Sequence, residues 1–184
     1  MNKLTQALIF SAALATTGLV AAADTVMVGG QSMFPTKDIV DNAVNSADHT
    51  TLVTAVKAAG LVDTLKGKGP FTVFAPTNAA FAKLPAGTVD SLVKPENKPT
   101  LTKILTYHVV AGKYDFNALA SAIQQHAGMA ELPTVSGGKL MFMMNGAHNI
   151  QVKDESGNVA SISTYDVYQS NGVINVIDTV LIPK

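Results

Sequence analysis

Residues 69–81 constrain the fold of this chain more than any other stretch of its sequence. Residues 71–75 are almost all apolar, which is typical of a strand covered on both faces. Pro76 ends that strand, and it biases Ala75 before it toward extended backbone. Thr77 can then accept a hydrogen bond from a free backbone N–H and begin a helix. The segment therefore predicts a buried sheet joined directly to a helical layer, and it contains no reactive group.

The N-terminus has the features of a secretory signal peptide. Lys3 provides a positive start, residues 4–20 are mostly apolar, and small residues at 21–23 fit a cleavage site before Asp24. An uncleaved membrane anchor is the alternative, but polar residues dilute the apolar stretch, which is barely long enough to span a bilayer. We expect a signal peptide at 1–23, a flexible lead at 24–35 and one domain at 36–184. After cleavage we expect no stable membrane insertion.

The composition excludes several classes of protein. The chain has no cysteine, so an exported form must be held together by its packed core and not by disulfides. All 13 basic residues are lysines, and they balance 13 acidic residues. A nearly neutral chain without arginine is a poor candidate for nucleic-acid binding. Charged residues make up only 14% of the chain, and a rather apolar surface suits binding to another molecule.

The order of elements along the chain predicts an α+β domain. Helical patterns come first, with Thr36 and Asp48 as candidate N-caps and Gly60 at a helix end. From about residue 130 short strands follow, with hairpin turns predicted at Asn145-Gly146 and Asn171-Gly172. The last strand, at 173–182, is apolar on both faces, so we expect it to lie in the centre of a sheet and to pair with strands distant in sequence.

Three blocks of sequence occur in the order typical of one family. Residues 72–81 (Thr-Val-Phe-Ala-Pro-Thr-Asn-Ala-Ala-Phe) resemble the first block of the fasciclin (FAS1) domain. Residues 105–110 (Leu-Thr-Tyr-His-Val-Val) resemble its Tyr-His motif, and residues 171–178 (Asn-Gly-Val-Ile-Asn-Val-Ile-Asp) resemble its second block. The resemblance covers about residues 35–184. The chain as a whole is similar to small bacterial secreted proteins that contain a single such domain.

The resemblance implies a wedge-shaped β-sandwich of two sheets with helices packed around one edge. It also implies adhesion or extracellular binding and no catalysis. In some animal relatives the Tyr-His motif and a Glu-Pro-Asp-Ile-Met segment are linked to integrin binding, and the second of these corresponds here to residues 164–168, where Asp166 and Val167 fit. The candidate partner-binding residues are therefore Tyr107, His108, Asp166 and Val167, with Tyr165 and Tyr168 as aromatic anchors.

Several of these residues also have a structural interpretation. Tyr107 and His108 lie in an apolar run, where the histidine can satisfy buried backbone groups instead of contacting a partner. Asp178 lies within the apolar last strand predicted at 173–182, so its carboxylate must be hydrogen-bonded there or become protonated. Thr77 and Asn78 are expected to serve as turn and capping groups.

The sequence offers little support for catalysis. It contains no Gly-x-Ser-x-Gly elbow, no His-Glu-x-x-His spacing and no phosphate loop, so we expect no enzyme and no cofactor. Thioethers and imidazoles suit Cu(I), and they cluster in one part of the sequence, but methionine also fills irregular cores. These residues are Met129, Met141, Met143, Met144, His126 and His148.

Three functions remain open at this point. We expect a periplasmic or extracellular adhesion or protein-interaction module, monomeric or weakly dimeric, whose partner is a cell-surface or envelope protein or polysaccharide. The alternatives are an envelope carrier of a small ligand or of copper, and an uncharacterised hydrolase. A large apolar pocket would favour the carrier, whereas a flat apolar patch that holds the tyrosines would favour adhesion.

Overall fold

A computed structural model describes residues 25–184, so the signal peptide predicted at 1–23 lies outside the described residues. The helices are α1 (Ile39–Ala43), α2 (Thr50–Ala59), α3 (Val62–Leu65), α4 (Asn78–Ala82), α5 (Thr88–Leu92), α6 (Lys98–Tyr107) and α7 (Phe116–Gln125), with 3₁₀ turns at Ala47–His49 and Pro95–Asn97. The strands are β1 (Val26–Val28), β2 (Gln31–Met33), β3 (Phe71–Pro76), β4 (Val109–Ala111), β5 (Met129–Pro133), β6 (Lys139–Met144), β7 (Ile150–Lys153), β8 (Val159–Gln169) and β9 (Gly172–Ile177).

Strands β3 to β9 form one mixed sheet that nearly closes on itself. Their order is β4-β3-β9-β8-β7-β6-β5, with β3 and β9 parallel and the other neighbours antiparallel. A bridge between Val110 and Thr134 brings the two edge strands together. The α+β class predicted from the sequence is confirmed.

The sheet has two halves, a first half of β4, β3 and β9 and a second half of β7, β6 and β5, and strand β8 belongs to both. Its first part pairs with β7, and the rest pairs with β9 across two irregularities in the register. The strand can therefore bend, because a bulge adds a residue to one side of the ladder. One core fills the space between the two halves, where the rings of Phe74 and Phe142 lie 5.1 Å apart.

A second core lies between the helical layer and the outer face of β3 and β9. Alternate residues of these strands point outward, such as Val73 and Ala75 of β3 and Ile174 of β9, and meet apolar residues of α1, α2 and α6. Strand β3 is covered on both faces, as its sequence predicts, and the Thr77 hydroxyl accepts the N–H of Ala80 at 3.2 Å to begin α4. The predicted link between sheet and helical layer is confirmed.

The flexible lead predicted for residues 24–35 is wrong for the part that the structure describes. Strands β1 and β2 form an antiparallel hairpin there. Val28 and Met33 are buried in the second core, so apolar contacts hold the hairpin in place. Two glycines at the turn, Gly29 and Gly30, have positive φ angles, which glycine adopts without steric cost.

Some helix boundaries differ from the prediction. Asp38, and not Thr36, caps α1, because its carboxylate accepts the N–H of Asp41 at 2.8 Å. Asp48 lies in a 3₁₀ turn before α2, and His49 occupies the position ahead of that helix. The predicted helix end at Gly60 is confirmed, since Gly60 has the left-handed conformation that closes many helices.

The last strand lies in the centre of the sheet, as predicted, and every residue of it is buried. It ends at Ile177 and not at residue 182. Its hairpin with β8 turns through Ser170 and Asn171, since Gln169 pairs with Gly172, so the turn lies one residue earlier than predicted. None of the helices in residues 25–184 is long and apolar enough to cross a membrane.

Candidate functional site

Tyr107 ends α6 and lies fully buried in the core between the sheet halves. Its hydroxyl donates to the carbonyl of Lys139 at 2.7 Å and accepts the N–H of Glu155 at 3.0 Å. Burial raises the pKa of its phenol to about 12, so it stays protonated at neutral pH. The side chain therefore ties a helix end to two segments of the second half of the sheet.

Replacing Tyr107 with phenylalanine is expected to destabilise the fold by about 1–2 kcal/mol, because two backbone groups lose their partner. Chemical denaturation of the variant and of the wild type would measure the difference. Tyr168→Phe is the matched control: it removes a hydroxyl from a more exposed ring and should change stability by less than about 0.5 kcal/mol. Equal effects of the two substitutions would contradict this role of Tyr107.

His108 joins α6 to the C-terminal segment of the chain. Its Nε2 accepts the N–H of Leu181 at 3.0 Å, so the proton is on Nδ1, which donates to the carbonyl of Ile104 at 2.8 Å. The ring is 2% exposed, and burial lowers its pKa to about 4. His108 is therefore a neutral connector with both ring nitrogens engaged.

The predicted partner-binding residues thus differ in what they present to solvent. Tyr107, His108 and Val167 are buried and offer no side-chain surface. Tyr165 and Asp166 are half-buried, and Tyr168 is 37% exposed. These three side chains are therefore too buried to contact a partner at the surface. The accessible members of the predicted partner-binding residues lie around Tyr168.

Tyr165 and Asp166 hold the start of α7 against the bulge of β8. Asp166 has a φ of +58°, a left-handed conformation that aspartate tolerates better than most residues, and its carboxylate accepts the N–H of Phe116 at 2.7 Å. Partial burial raises the pKa of that carboxyl. The Tyr165 ring meets the Phe116 ring edge-on at 5.2 Å, and its hydroxyl accepts the N–H of Ile150 at 2.7 Å.

Tyr168 is held from two sides by charged groups. The Lys113 ammonium lies 4.4 Å from the centre of its ring, and its hydroxyl donates to the Asp115 carboxylate at 3.2 Å. Asp115 also caps α7 through the N–H of Ala118, so the ring is oriented by a group that is itself fixed. Lys113 and Asp115 are not among the partner-binding residues predicted from the sequence, and their position just before α7 is the only local signal that they carry.

A second pair of a lysine and an aromatic ring lies at the same hairpin turn. The N–H of Ser170 donates to the carbonyl of Lys37 at 2.9 Å, and the Lys37 ammonium lies 5.1 Å from the ring centre of Phe34, which is 42% exposed. Five side chains form what we call the Tyr168 surface: Tyr168, Lys113, Asp115, Phe34 and Lys37.

The three residues predicted as structural make local connections. Asn78 accepts the N–H of Thr51 at 3.0 Å and donates to the carbonyl of Ala47 at 2.9 Å, which ties α4 to the start of α2. Thr77 caps α4. Asp178 lies just past β9, where burial acts to raise its pKa, but the N–H of Ser161 and the nearby Lys83 ammonium outweigh burial and lower it.

The methionines of the copper hypothesis lie partly on one face. Met129 and Met143 are direct partners on β5 and β6, and Met141 follows on the same outer face, whereas Met144 packs against the core between the sheet halves. No three His, Cys, Asp or Glu side chains converge on a metal position within residues 25–184. Copper binding stays a prediction.

A nearly closed mixed sheet, a helical layer on its outer face and a buried Tyr-His pair define a fasciclin-type domain. The family model described as the Fasciclin domain matches residues 47–183, and the chain belongs to the fasciclin family.

The relatives agree with this assignment. Protein sll1483 of Synechocystis is 50% identical over 147 residues, which cover 79% of this chain and 73% of that protein. The cell surface glycolipoprotein MPB83 of Mycobacterium bovis is 39% identical over 161 residues, which cover 85% of this chain and 64% of that protein. A solved FAS1 domain pair from the insect cell adhesion molecule Fasciclin I matches with a TM-score of 0.69 at 20% identity, covering 79% of this chain and 51% of that one, and shows the shared fold.

Proposed function

We propose that this protein is an exported fasciclin module that binds a cell-surface or envelope partner through the Tyr168 surface, without catalysis. Two of its relatives support the proposal by their names: one is a cell surface glycolipoprotein and the other a cell adhesion molecule. The partner is a protein or a polysaccharide, and the compartment is the periplasm or the cell exterior. The module acts as a monomer or a weak dimer.

The observation that carries the proposal is the fixed, exposed ring of Tyr168. Aromatic side chains are enriched at the centres of interfaces because they bury a large area at little cost in conformational entropy. Here Lys113 over the ring and Asp115 at the hydroxyl restrict the side chain before any partner arrives. A preorganised anchor loses less entropy on binding than a free one.

The role without catalysis is supported by how the titratable core groups are used. His108 has both ring nitrogens in backbone hydrogen bonds, and the Tyr107 hydroxyl both donates to and accepts from backbone groups. A general base needs a free nitrogen or oxygen within reach of a substrate proton. These two residues therefore serve the architecture of the domain, which argues against the hydrolase alternative.

The proposal is tested by comparing three baits of residues 24–184 on beads. Wild type, Tyr168→Ala and the control Val159→Ala are incubated with envelope and culture-medium fractions of the source organism. Val159 is an exposed apolar residue at the opposite end of β8, so its truncation removes apolar surface elsewhere on the same strand and leaves Tyr168 in place. We expect wild type and Val159→Ala to retain the same component, and Tyr168→Ala to retain at least about tenfold less, as for an interface hot spot.

Equal recovery by all three baits would show that the Tyr168 surface does not form the interface. A Lys113→Ala bait is a second test of the Tyr168 surface, because it leaves the tyrosine in place but removes the cation over its ring. We expect an intermediate loss with this bait, of about twofold to fivefold, since exposed cation–π contacts contribute about 0.5–1 kcal/mol.

A further inference from the structure

An apolar cavity of about 60 Å³ lies between the helical layer and the outer face of the sheet. Helices α1, α2 and α3 form one wall, and strands β3 and β9 with the end of α6 form the other. Branched aliphatic side chains make up most of its lining. They include Val40, Val53, Val56, Val62, Leu65 and Ile174.

The cavity is far larger than one water molecule requires, which is about 10–15 Å³, but it offers water no partners. Two polar side chains at its wall are already engaged: both ring nitrogens of His108 bind backbone groups, and the Thr106 hydroxyl donates to the carbonyl of Thr102 at 2.7 Å. A buried water needs two to four hydrogen bonds, so an apolar occupant is favoured over water. A polar or charged group inside would lose its hydration without compensation.

Lys57 gives the mouth of the cavity a positive charge. It follows Val53 by one turn on the same face of α2, and its side chain borders the cavity while the residue is exposed. Lys57 takes part in none of the ion pairs found in the part of the chain that the structure describes. A ligand with a hydrocarbon chain and one carboxylate would match both features, with the chain among the aliphatic side chains and the carboxylate at the ammonium.

We propose that this cavity binds the hydrocarbon end of a fatty acid whose carboxylate pairs with Lys57. The cavity lies on the helical side of the domain and shares no residue with the Tyr168 surface, so this proposal does not depend on the proposed adhesion function. It gives the carrier alternative a site and a ligand class.

The test is a titration of the mature protein, labelled with ¹³C at its methyl groups, with sodium decanoate. We expect saturable shifts for the methyl groups that line the cavity, including those of Val53, Val56 and Ile174. Val53→Phe should weaken binding at least about tenfold by filling the space, whereas Val44→Phe, which adds the same ring at an exposed position of the helical layer, should bind like wild type. Ala43→Leu, a smaller filling substitution, is a second variant with the same expected loss in case Val53→Phe does not fold.

The charge is tested separately with Lys57→Met and decanol. Exposed ion pairs contribute about 0.2–1 kcal/mol, so Lys57→Met should weaken decanoate binding up to about fivefold and leave decanol binding unchanged. Lys103→Met on α6 is the control and should alter neither. The proposal is overturned if decanoate shifts no cavity methyl group up to its solubility limit, if Ala43→Leu binds decanoate like wild type, or if Lys57→Met and Lys103→Met affect decanoate equally.

Discussion

Replacing Gly172 with alanine is expected to destabilise the protein by about 3 kcal/mol or more, the largest effect that we predict for a single methyl group. Gly172 begins the buried central strand β9 and faces Phe71 of the parallel strand β3. A Cβ atom at Gly172 would overlap the carbonyl oxygen of Phe71 and lie 3.0 Å from its backbone nitrogen. Because these are backbone atoms in a sheet, the two central strands would have to separate to make room.

Gly157→Ala is the matched control for this substitution. A Cβ atom at Gly157 would meet no atom within 4 Å, so only its positive φ of 95° opposes alanine. We expect a cost of about 1 kcal/mol there, the usual penalty for a left-handed alanine. Urea denaturation of both variants measures the contrast, and a Gly172→Ala protein as stable as Gly157→Ala would show that β3 and β9 are not packed as closely as described.

The second large effect is a loss of stability at mildly acidic pH that depends on His108. Burial lowers the pKa of this histidine in the folded state to about 4, from 6.5 in an exposed setting. Between these values the unfolded chain binds a proton that the folded chain does not, so stability falls as pH decreases. The slope is about 1.4 kcal/mol per pH unit, which gives a loss of about 3 kcal/mol between pH 6.5 and pH 4. Below pH 4 both states are protonated, and the contribution of His108 levels off.

His108→Gln isolates this contribution. The glutamine amide oxygen can still accept the N–H of Leu181 but does not titrate. His49, Asp166 and Asp178 also have shifted pKa values, but they are present in both proteins and cancel in the comparison. The free energy of unfolding of wild type should therefore fall more steeply than that of the variant between pH 6.5 and pH 4. Parallel pH profiles would contradict the buried, neutral state of His108.

His108→Ala tests how much the two hydrogen bonds of the His108 ring contribute to stability at neutral pH. It leaves the N–H of Leu181 and the carbonyl of Ile104 without their side-chain partner, and we expect a cost of about 1–3 kcal/mol. An unchanged melting temperature would mean that this ring is accessible to a ligand.

The parts of the fold that the sequence predicts well are those that depend on neighbouring residues. Strand β3, the proline that ends it and the Thr77 cap follow within a few residues of one another, and the apolar run of β9 requires burial whatever its neighbours are. The helix end at Gly60 is local in the same sense, because glycine adopts the left-handed conformation without help from distant residues.

The parts that the sequence did not predict depend on contacts between distant segments. The hairpin of β1 and β2 is ordered because Val28 and Met33 enter a core built by later residues, and its glycine-rich sequence alone indicates a flexible segment. Likewise, the surroundings of Tyr168 are made by Lys113 and Asp115, more than fifty residues earlier in the chain. The apolar cavity arises from the way three short helices pack on the sheet. The hydrophobic periodicity of the sequence does not indicate such packing.

The central position of β9 has a consequence for the order in which the domain can form. The strand that lies between β3 and β8 is made of residues 172–177, which follow both of those strands in the sequence. Until those residues leave the ribosome, β3 and β8 have no partner between them, and the sheet halves cannot join along their middle. The central ladder of the sheet is therefore completed only after β3, β8 and β9 have all been synthesised.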